Sequence, residues 1–307
     1  MFPAPSGCNL YGYKGIPFQE FSGNSASNES NMRQSTAQPV YDSTQLPPYY
    51  LQELLELVRA GFLIRLLVIR DITVRYKRSL FGVVWTLLHP ILMMAVLTIA
   101  FSQIMRIEVE NYAVLVLSGL LVWNFISEAS TTAMSNMVSS GNLLSRIYLP
   151  KAIYPVASLL SSLINMALAF LPLLILMLVT RTPLRVGILL LPLPILLTCM
   201  FTLGISLTLS SIAVYFADLV PLYSVLLRIW FYLTPIVYPL SLFPASLRWL
   251  QMLNPLTHFV EFMRAVLLQG TSGDPKHVLG SVLWACLMLL LGWITFTSRA
   301  DEYAYRI

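Results

Sequence analysis

Charge is what this chain has least of. Of 307 residues only 11% are charged, against 57% hydrophobic. A soluble domain carries about 25%. So few charged groups cannot cover a water-soluble globule of this size, and the mean hydropathy is +0.73. Cysteine is scarce as well. Cys8, Cys199 and Cys286 cannot all pair, and the last two lie in apolar runs, so neither a disulfide framework nor a metal site is implied. There is no phosphate-binding GxxxxGK[ST] loop, and no GxGxxG, HExxH, GxSxG or CxxC. These absences leave no recognisable nucleotide, zinc or nucleophilic-hydrolase chemistry on this chain.

Long apolar runs take the place of charge. A bilayer core of about 30 Å is spanned by about 20 apolar residues in a helix. Runs of that kind recur at 84–105, 112–132, 155–179, 188–214, 222–240 and 278–298. The fold expected is all-α and membrane-embedded, with six spans. A membrane barrel would instead show alternating segments of about ten residues. Pro90, Pro172, Pro192 and Pro194 do not veto the spans, because neighbours in a helical bundle can satisfy the carbonyls that proline frees.

Residues 1–50 are polar and low in aliphatics, as in "SGNSASNESNMRQSTAQP", which predicts a disordered tail without a cleavable signal. An interface helix region follows over 51–82, then the six-span domain over 83–300 and a tail over 301–307. The stretch "RDITVRYKRSLFGVVWTLLHPILMM" sets dense positive charge against the first apolar run. Arg59, Arg65, Arg70, Arg75, Lys77 and Arg78 precede that run, and only Asp71 opposes them within 59–83. The net charge is +5. In a membrane chain this excess sets orientation rather than nucleic-acid binding, and it predicts cytoplasmic termini. At 100° per residue Arg59, Arg70 and Lys77 fall within about 20° on a helical wheel, which predicts a helix lying on the membrane surface against lipid.

The segment "SLFPASLRWLQMLNPLTHFVEFMRAVLLQGTSGD", 241–274, is split by Asn254-Pro255 into pieces too short to span. It reads as a re-entrant hairpin open to the outside. "THFVEFMR" puts His258, Glu261 and Arg264 on one helical face, a hydrogen-bonded cluster with too few ligands for zinc. Glu128 is a further ionisable group within a span. Trp230, Phe231, Tyr232, Tyr238, Phe243, Trp249, Phe259 and Phe262 are the ring-bearing residues of this part of the chain. They read either as an interfacial belt or as flat faces along a path for sugars. The turns "GNLLSRIYLPKAIYP" and "AVYFADLVPLYS" suit docking into a soluble partner's groove.

Three ordered blocks carry a resemblance: "RDITVRYKRSLFGVVWTLLHPILMM", "LSRIYLPKAIYPVASLLSSLIN", and the run from "YFADLVPLYS" to "EFMRAVLLQG". Together they resemble the type-2 ABC exporter permeases, more closely those that move lipid-linked O-antigens, capsules and teichoic acids. The resemblance covers about 53 to 300. It implies a half-transporter in the bacterial inner membrane. Two copies would form a channel, and two copies of a separate ABC ATPase would supply ATP and Mg chemistry, with no cofactor on this chain. Arg59, Arg70, Arg75, Lys77 and Arg78 would belong to the interface helix. Arg146, Tyr148, Pro150 and Lys151 would belong to the coupling helix, and Asp218 to a second, smaller contact. Related sequences often carry arginines just before the matching Asp, where this chain has "VYFAD". Tyr232, Tyr238, Trp249, Phe259, Glu261, Phe262 and Arg264 would line the channel or its outer gate. The alternatives are a permease for a drug or small lipid, and a membrane transferase on lipid-linked sugars. No acid/base pair suited to the transferase is visible, and no internal repeat suggests a secondary transporter.

Overall fold

In the computed structural model the described residues are 49–77, 82, 84–104, 111–139, 150–182, 185–216, 218–240, 243–244, 246 and 248–299. Among them there is no strand. Two short helices lead, α1 (Tyr49–Arg59) and α2 (Gly61–Tyr76). Four longer ones follow: α3 (Val84–Thr98, continued by a π turn to Ile104), α4 (Tyr112–Ser139), α5 (Ile153–Val179) and α6 (Pro192–Tyr215). Then come α7 (Leu219–Leu233), α8 (Arg248–Leu253), α9 (Pro255–Arg264) and α10 (Pro275–Thr297).

Five of these elements are long and apolar enough to cross a bilayer: Val84–Phe101, Tyr112–Ser139, Ile153–Val179, Gly187–Tyr215 and Pro275–Thr297. The expected fifth span, 222–240, is shorter than its apolar run. Pro235 disfavours helical backbone at the residue before it, and Thr234 is extended at φ −93°, ψ 139°. The 15 residues of α7 therefore rise only about 22 Å.

The core is built around α4. From Val114 to Ile126 almost every side chain is buried, as expected for a helix surrounded by others. α5 and α6 flank it, and α10 packs along α6. Gly204 and Gly292 make that last contact tight: a Cβ on Gly204 would sit 2.2 Å from the Met288 carbonyl oxygen, and one on Gly292 2.2 Å from that of Gly204. Backbones this close exclude any side chain at either position. A second cluster gathers Ile64, Val68, Met137, Ile153, Tyr154, Leu207 and Phe296. It joins α2 to the ends of α4, α6 and α10 and to the start of α5, which defines one end of the bundle.

The interface region differs from its expectation. The chain bends at Ala60, with ψ 12°, so Arg59 and Arg70 do not share one continuous wheel. α2 does not lie flat against that end of the bundle. Its Asp71 is joined to Asn136, about three residues from the end of α4, while its Arg75 is joined to Glu128, about eleven residues from that end. At 1.5 Å per residue these points lie about 5 and 17 Å up α4. α2 climbs into the bundle.

Candidate functional site

Two polar constellations stand out, one at each end of the helical bundle. At the end where α1 and α2 pack, labelled the inner end and the other the outer end, side chains meet side chains. Asn136 donates to Asp71 at 3.1 Å and to Ser158 at 2.9 Å, which ties α2, α4 and α5 together. One level deeper Arg75 pairs with Glu128, and Asn165 donates to the same carboxylate at 2.6 Å. Tyr76 donates to the Asn165 carbonyl oxygen at 3.0 Å and is hydrogen-bonded to Thr86 of α3. Four helices thus meet in one small network. It is only partly shielded: the Arg75 and Glu128 side chains are 35% and 28% exposed.

The exposure arises because a chamber opens beside the network. Its volume is about 290 Å³, and its walls include Arg75, Tyr76, Trp85, Thr86, His89, Asn124, Ser127, Glu128, Ser162 and Asn165. A second chamber of about 450 Å³ lies between α3, α4 and α7. It shares His89, Asn124 and Ser127 with the first and adds Trp123, Thr131, Ser224, Arg228, Phe231 and Tyr232. Asn124, Ser127, Glu128 and Thr131 recur at helical spacing, so α4 presents a polar stripe within an otherwise apolar helix. Arg228 is exposed on α7 and makes no hydrogen bond or ion pair among the described residues. Phe231 packs edge-on against Trp123, with centroids 5.3 Å apart.

At the opposite end most partners are backbone carbonyls. Where α7 stops, its last carbonyls lose their helical donors, and side chains replace them. Gln251 donates to Leu233 at 2.9 Å. Arg264 donates to Pro235 at 2.6 Å, to Ile236 at 2.7 Å and to Leu115 at 3.2 Å, and pairs with Glu261 at 2.9 Å. Tyr112 donates to Val237. Asn254 donates to the Thr234 hydroxyl at 3.0 Å, accepts from Trp230 at 2.9 Å and caps α9 through the Leu256 N–H. Arg264 is 4% exposed. Gly119 makes room for it, since a Cβ there would stand 3.0 Å from the guanidinium. Val237 and Gln269 both sit at this end, the one on Tyr112 and the other on Arg185 at 2.9 Å.

The residues singled out in the sequence divide accordingly. Arg264 is a buried staple, paired with the half-buried Glu261. Phe259 and Phe262 are 0% and 1% exposed, with the Phe259 ring against Phe201, so within one copy neither offers a free ring face. Tyr232 and Trp249 are 72% and 60% exposed, and Tyr238 is half-buried and stacked on Phe243. Tyr232 lines the second chamber. Arg59, Arg70, Arg75 and Lys77 are exposed, Arg70 pairing with Asp71 at 2.9 Å and Arg75 with Glu128 of α4. Pro150, Lys151 and Asp218 lie at the inner end, Asp218 exposed just ahead of α7. Arg78, Arg146 and Tyr148 lie outside the described residues, as do nearly all of 1–50 and all of 301–307. Glu53 of α1 is 6% exposed and accepts the Ala152 N–H at 3.4 Å, which docks α1 onto the turn before α5. Burial raises its carboxyl above the ordinary 4.5, Glu56 adds to the rise, and the Ala152 N–H and Lys151 oppose it.

Sequence reading missed Asn124, Ser127, Asn136, Asn165 and Arg228. The polar period along α4 was a usable signal. The meeting of Asn136 and Asn165 with α2 was not, because it depends on the climb of that helix.

Comparison with known proteins places the chain among relatives. A family model described as "ABC-2 type transporter" matches residues 63–268. An O-antigen export system permease protein RfbA of Myxococcus xanthus is 30% identical over 249 residues, 80% of this chain and 95% of that protein. One from Klebsiella pneumoniae is 26% identical over 216 residues, 69% and 83% of the two chains. The polysialic acid transport protein KpsM of Escherichia coli is 22% identical over 253 residues, 80% and 98%.

Proposed function

The chain belongs to the ABC-2 type transporter family, and from that membership we infer that it is the membrane-embedded permease subunit of a polysaccharide exporter. Its relatives are named for O-antigen export and polysialic acid transport. The finer reading is ours. Two copies pair around a path for a lipid-linked polymer, and two ABC ATPase subunits, which bind ATP and Mg, dock at the inner end. α7, with its extended continuation, makes a sixth crossing, and 241–274 re-enters as a hairpin. Both termini then face the cytoplasm of a bacterial inner membrane.

The observation that supports this reading best is the polar groove between α3, α4 and α7. The exterior of those helices is otherwise apolar: Leu92, Val96, Leu222, Val225 and Ile229 are all exposed. Lipid suits such a surface but not an unpaired Arg228, which at a helix centre costs about 2.5–3.5 kcal/mol on insertion scales. A hydrated path between two copies gives that side chain water and polymer hydroxyls as partners. Exposed Tyr232 adds a ring face to the same groove.

At the inner end Lys151, Asp218 and the α1–α2 pair form the surface an ATPase would press. Force applied there reaches the groove through Arg75–Glu128 and Asn136, since the groove's polar stripe and this network lie on the same helix, α4.

Reconstitution tests the reading. Vesicles holding this chain and its partner ATPase should move lipid-linked glycan to the opposite leaflet only when ATP is present. ATP hydrolysis unaffected by lipid-linked glycans but stimulated by small amphiphiles would overturn the substrate class.

A further inference from the structure

The first chamber has features that conduction alone does not require. We propose that it is a binding site for a single neutral glycosyl unit, or a short stretch of them, of the exported polymer; this rests on the polysaccharide reading above. At about 290 Å³ it stands at the lower edge of small-molecule pockets, roughly 300–1,000 Å³. It is a side chamber to the groove and is reached past the shared residues His89, Asn124 and Ser127.

Its chemistry selects the ligand. Asn165 and Arg75 both bind one oxygen of Glu128, Oε1. The second oxygen takes no hydrogen bond among the described residues, which leaves a charged acceptor at the chamber wall. Ser162 is 1% exposed, and its hydroxyl has no partner among the described residues. Leaving such a buried group unmet costs about 1–3 kcal/mol, and a turn of the Ser162 side chain toward the chamber it lines would offer it to a ligand hydroxyl. Trp85, 51% exposed, brings a flat apolar face. A sugar ring has what this wall asks for: hydroxyls around its edge to donate to a carboxylate and to pair with serine and amides, and C–H faces to lie on an indole. A phosphate fits poorly, because the one guanidinium of the chamber is already neutralised by Glu128. An acyl chain would strand the polar wall.

The floor is formed by Arg75 and Tyr76, the tip of α2. A sugar bound to Glu128 therefore shares its carboxylate with the helix on which the ATPase is proposed to press. Occupancy and the position of α2 are linked through one side chain.

Site-specific photocrosslinking in cells carrying the intact exporter tests this. The probe is the cell's own polymer, detected on the captured permease by periodate staining of its sugars. Trp85→p-benzoylphenylalanine is expected to capture glycan. Ser162→Leu, which fills the chamber, should cut that capture at least about fivefold, the loss expected when such polar contacts are removed. Leu283→p-benzoylphenylalanine, on the exposed apolar side of α10, should capture none. Should the Trp85 variant fail to assemble, Ala169→p-benzoylphenylalanine probes the far wall of the same chamber. Capture of phospholipid without sugar at Trp85 or Ala169 would overturn the proposal in favour of a headgroup pocket. Glycan captured at Tyr232 but at neither chamber position would overturn the chamber and leave the export path standing. Glycan captured at none of these positions, in cells that export it, would overturn the chamber and the path together.

Discussion

The two ends of this bundle solve the same problem in opposite ways. Each holds polar groups within an apolar helical bundle, where every unmet one is expensive. At the outer end the unmet groups are carbonyls of a broken backbone, and fixed side chains capture them. Arg264 alone holds Pro235 and Ile236, reaches across to Leu115 of α4, and is 4% exposed. At the inner end Asp71, Arg75, Glu128, Asn136 and Asn165 bind each other beside an open chamber. Side chains can exchange partners with one another, with water or with a ligand; a captured backbone cannot. We read the outer end as scaffold within one copy and the inner end as the part that rearranges.

The sharpest way to break this comparison is to remove the scaffold's centre. Arg264→Met leaves the buried carbonyls of Pro235 and Ile236 unmet, at about 1–3 kcal/mol each. It should abolish folded yield, read by size-exclusion profile and thermal melting in detergent. Arg264→Lys should fail to rescue it, since a single ammonium cannot fork to carbonyls on two sides as a planar guanidinium does. Near-normal melting of either variant would contradict the scaffold reading.

The same kind of change at the inner end should spare the fold. Glu128→Gln keeps the shape of the side chain but removes its charge, at about 1.5–3 kcal/mol for a charged hydrogen bond. Cell-surface polymer should fall roughly tenfold while complex yield holds. Loss of yield in step with export would make Glu128 scaffold too.

A smaller effect is expected at the inner surface itself. Lys151→Glu should weaken association with the ATPase several-fold, chiefly through slower and more salt-sensitive assembly, measured by co-purification at two ionic strengths. Full association at both would remove Lys151 from the contact.

The smallest effect concerns α1. The Glu53 carboxyl is raised above 4.5, burial first among its causes. The folded state therefore holds its proton more tightly than the unfolded one. Docking of α1 is strongest below pH 4.5 and weakens as pH rises through the raised value. Limited proteolysis after Arg59 should accelerate over that window. Glu53→Gln, which still accepts from Ala152, should flatten the dependence. A slope unchanged in that variant would assign it to another group.

Much of this organisation was legible in the sequence, and particular residues show why. Five of the six apolar runs are long helices, because a run of about 20 apolar residues has few other stable fates in lipid. The Asn254-Pro255 break was legible too: asparagine as cap and proline in the first turn are local signals, and α9 begins there. The end of α7 was misplaced by about seven residues, although Pro235 marks it, because composition says nothing of donors that meet the freed carbonyls. Those donors come from Tyr112, Gln251 and Arg264, as much as 125 residues from their acceptors. Arg264 was legible as a costly ionisable group but not as a staple. The basic cluster was read as a surface feature. All of its described members are exposed, yet Arg75 also pairs with Glu128 of α4, a partner that only the packing of α2 against α4 brings within reach.

The distance between the two helices that the inner network joins tests the account most directly. Spin labels at Val74 on α2 and Ser135 on α4, both exposed, report the inner end; labels at Met252 and Lys276 report the outer end within one copy. In the assembled exporter, switching from the nucleotide-free to the vanadate-trapped state should shift or broaden the first distance and leave the second unchanged. A first distance that stays fixed while the second moves would contradict the assignment of scaffold and moving part.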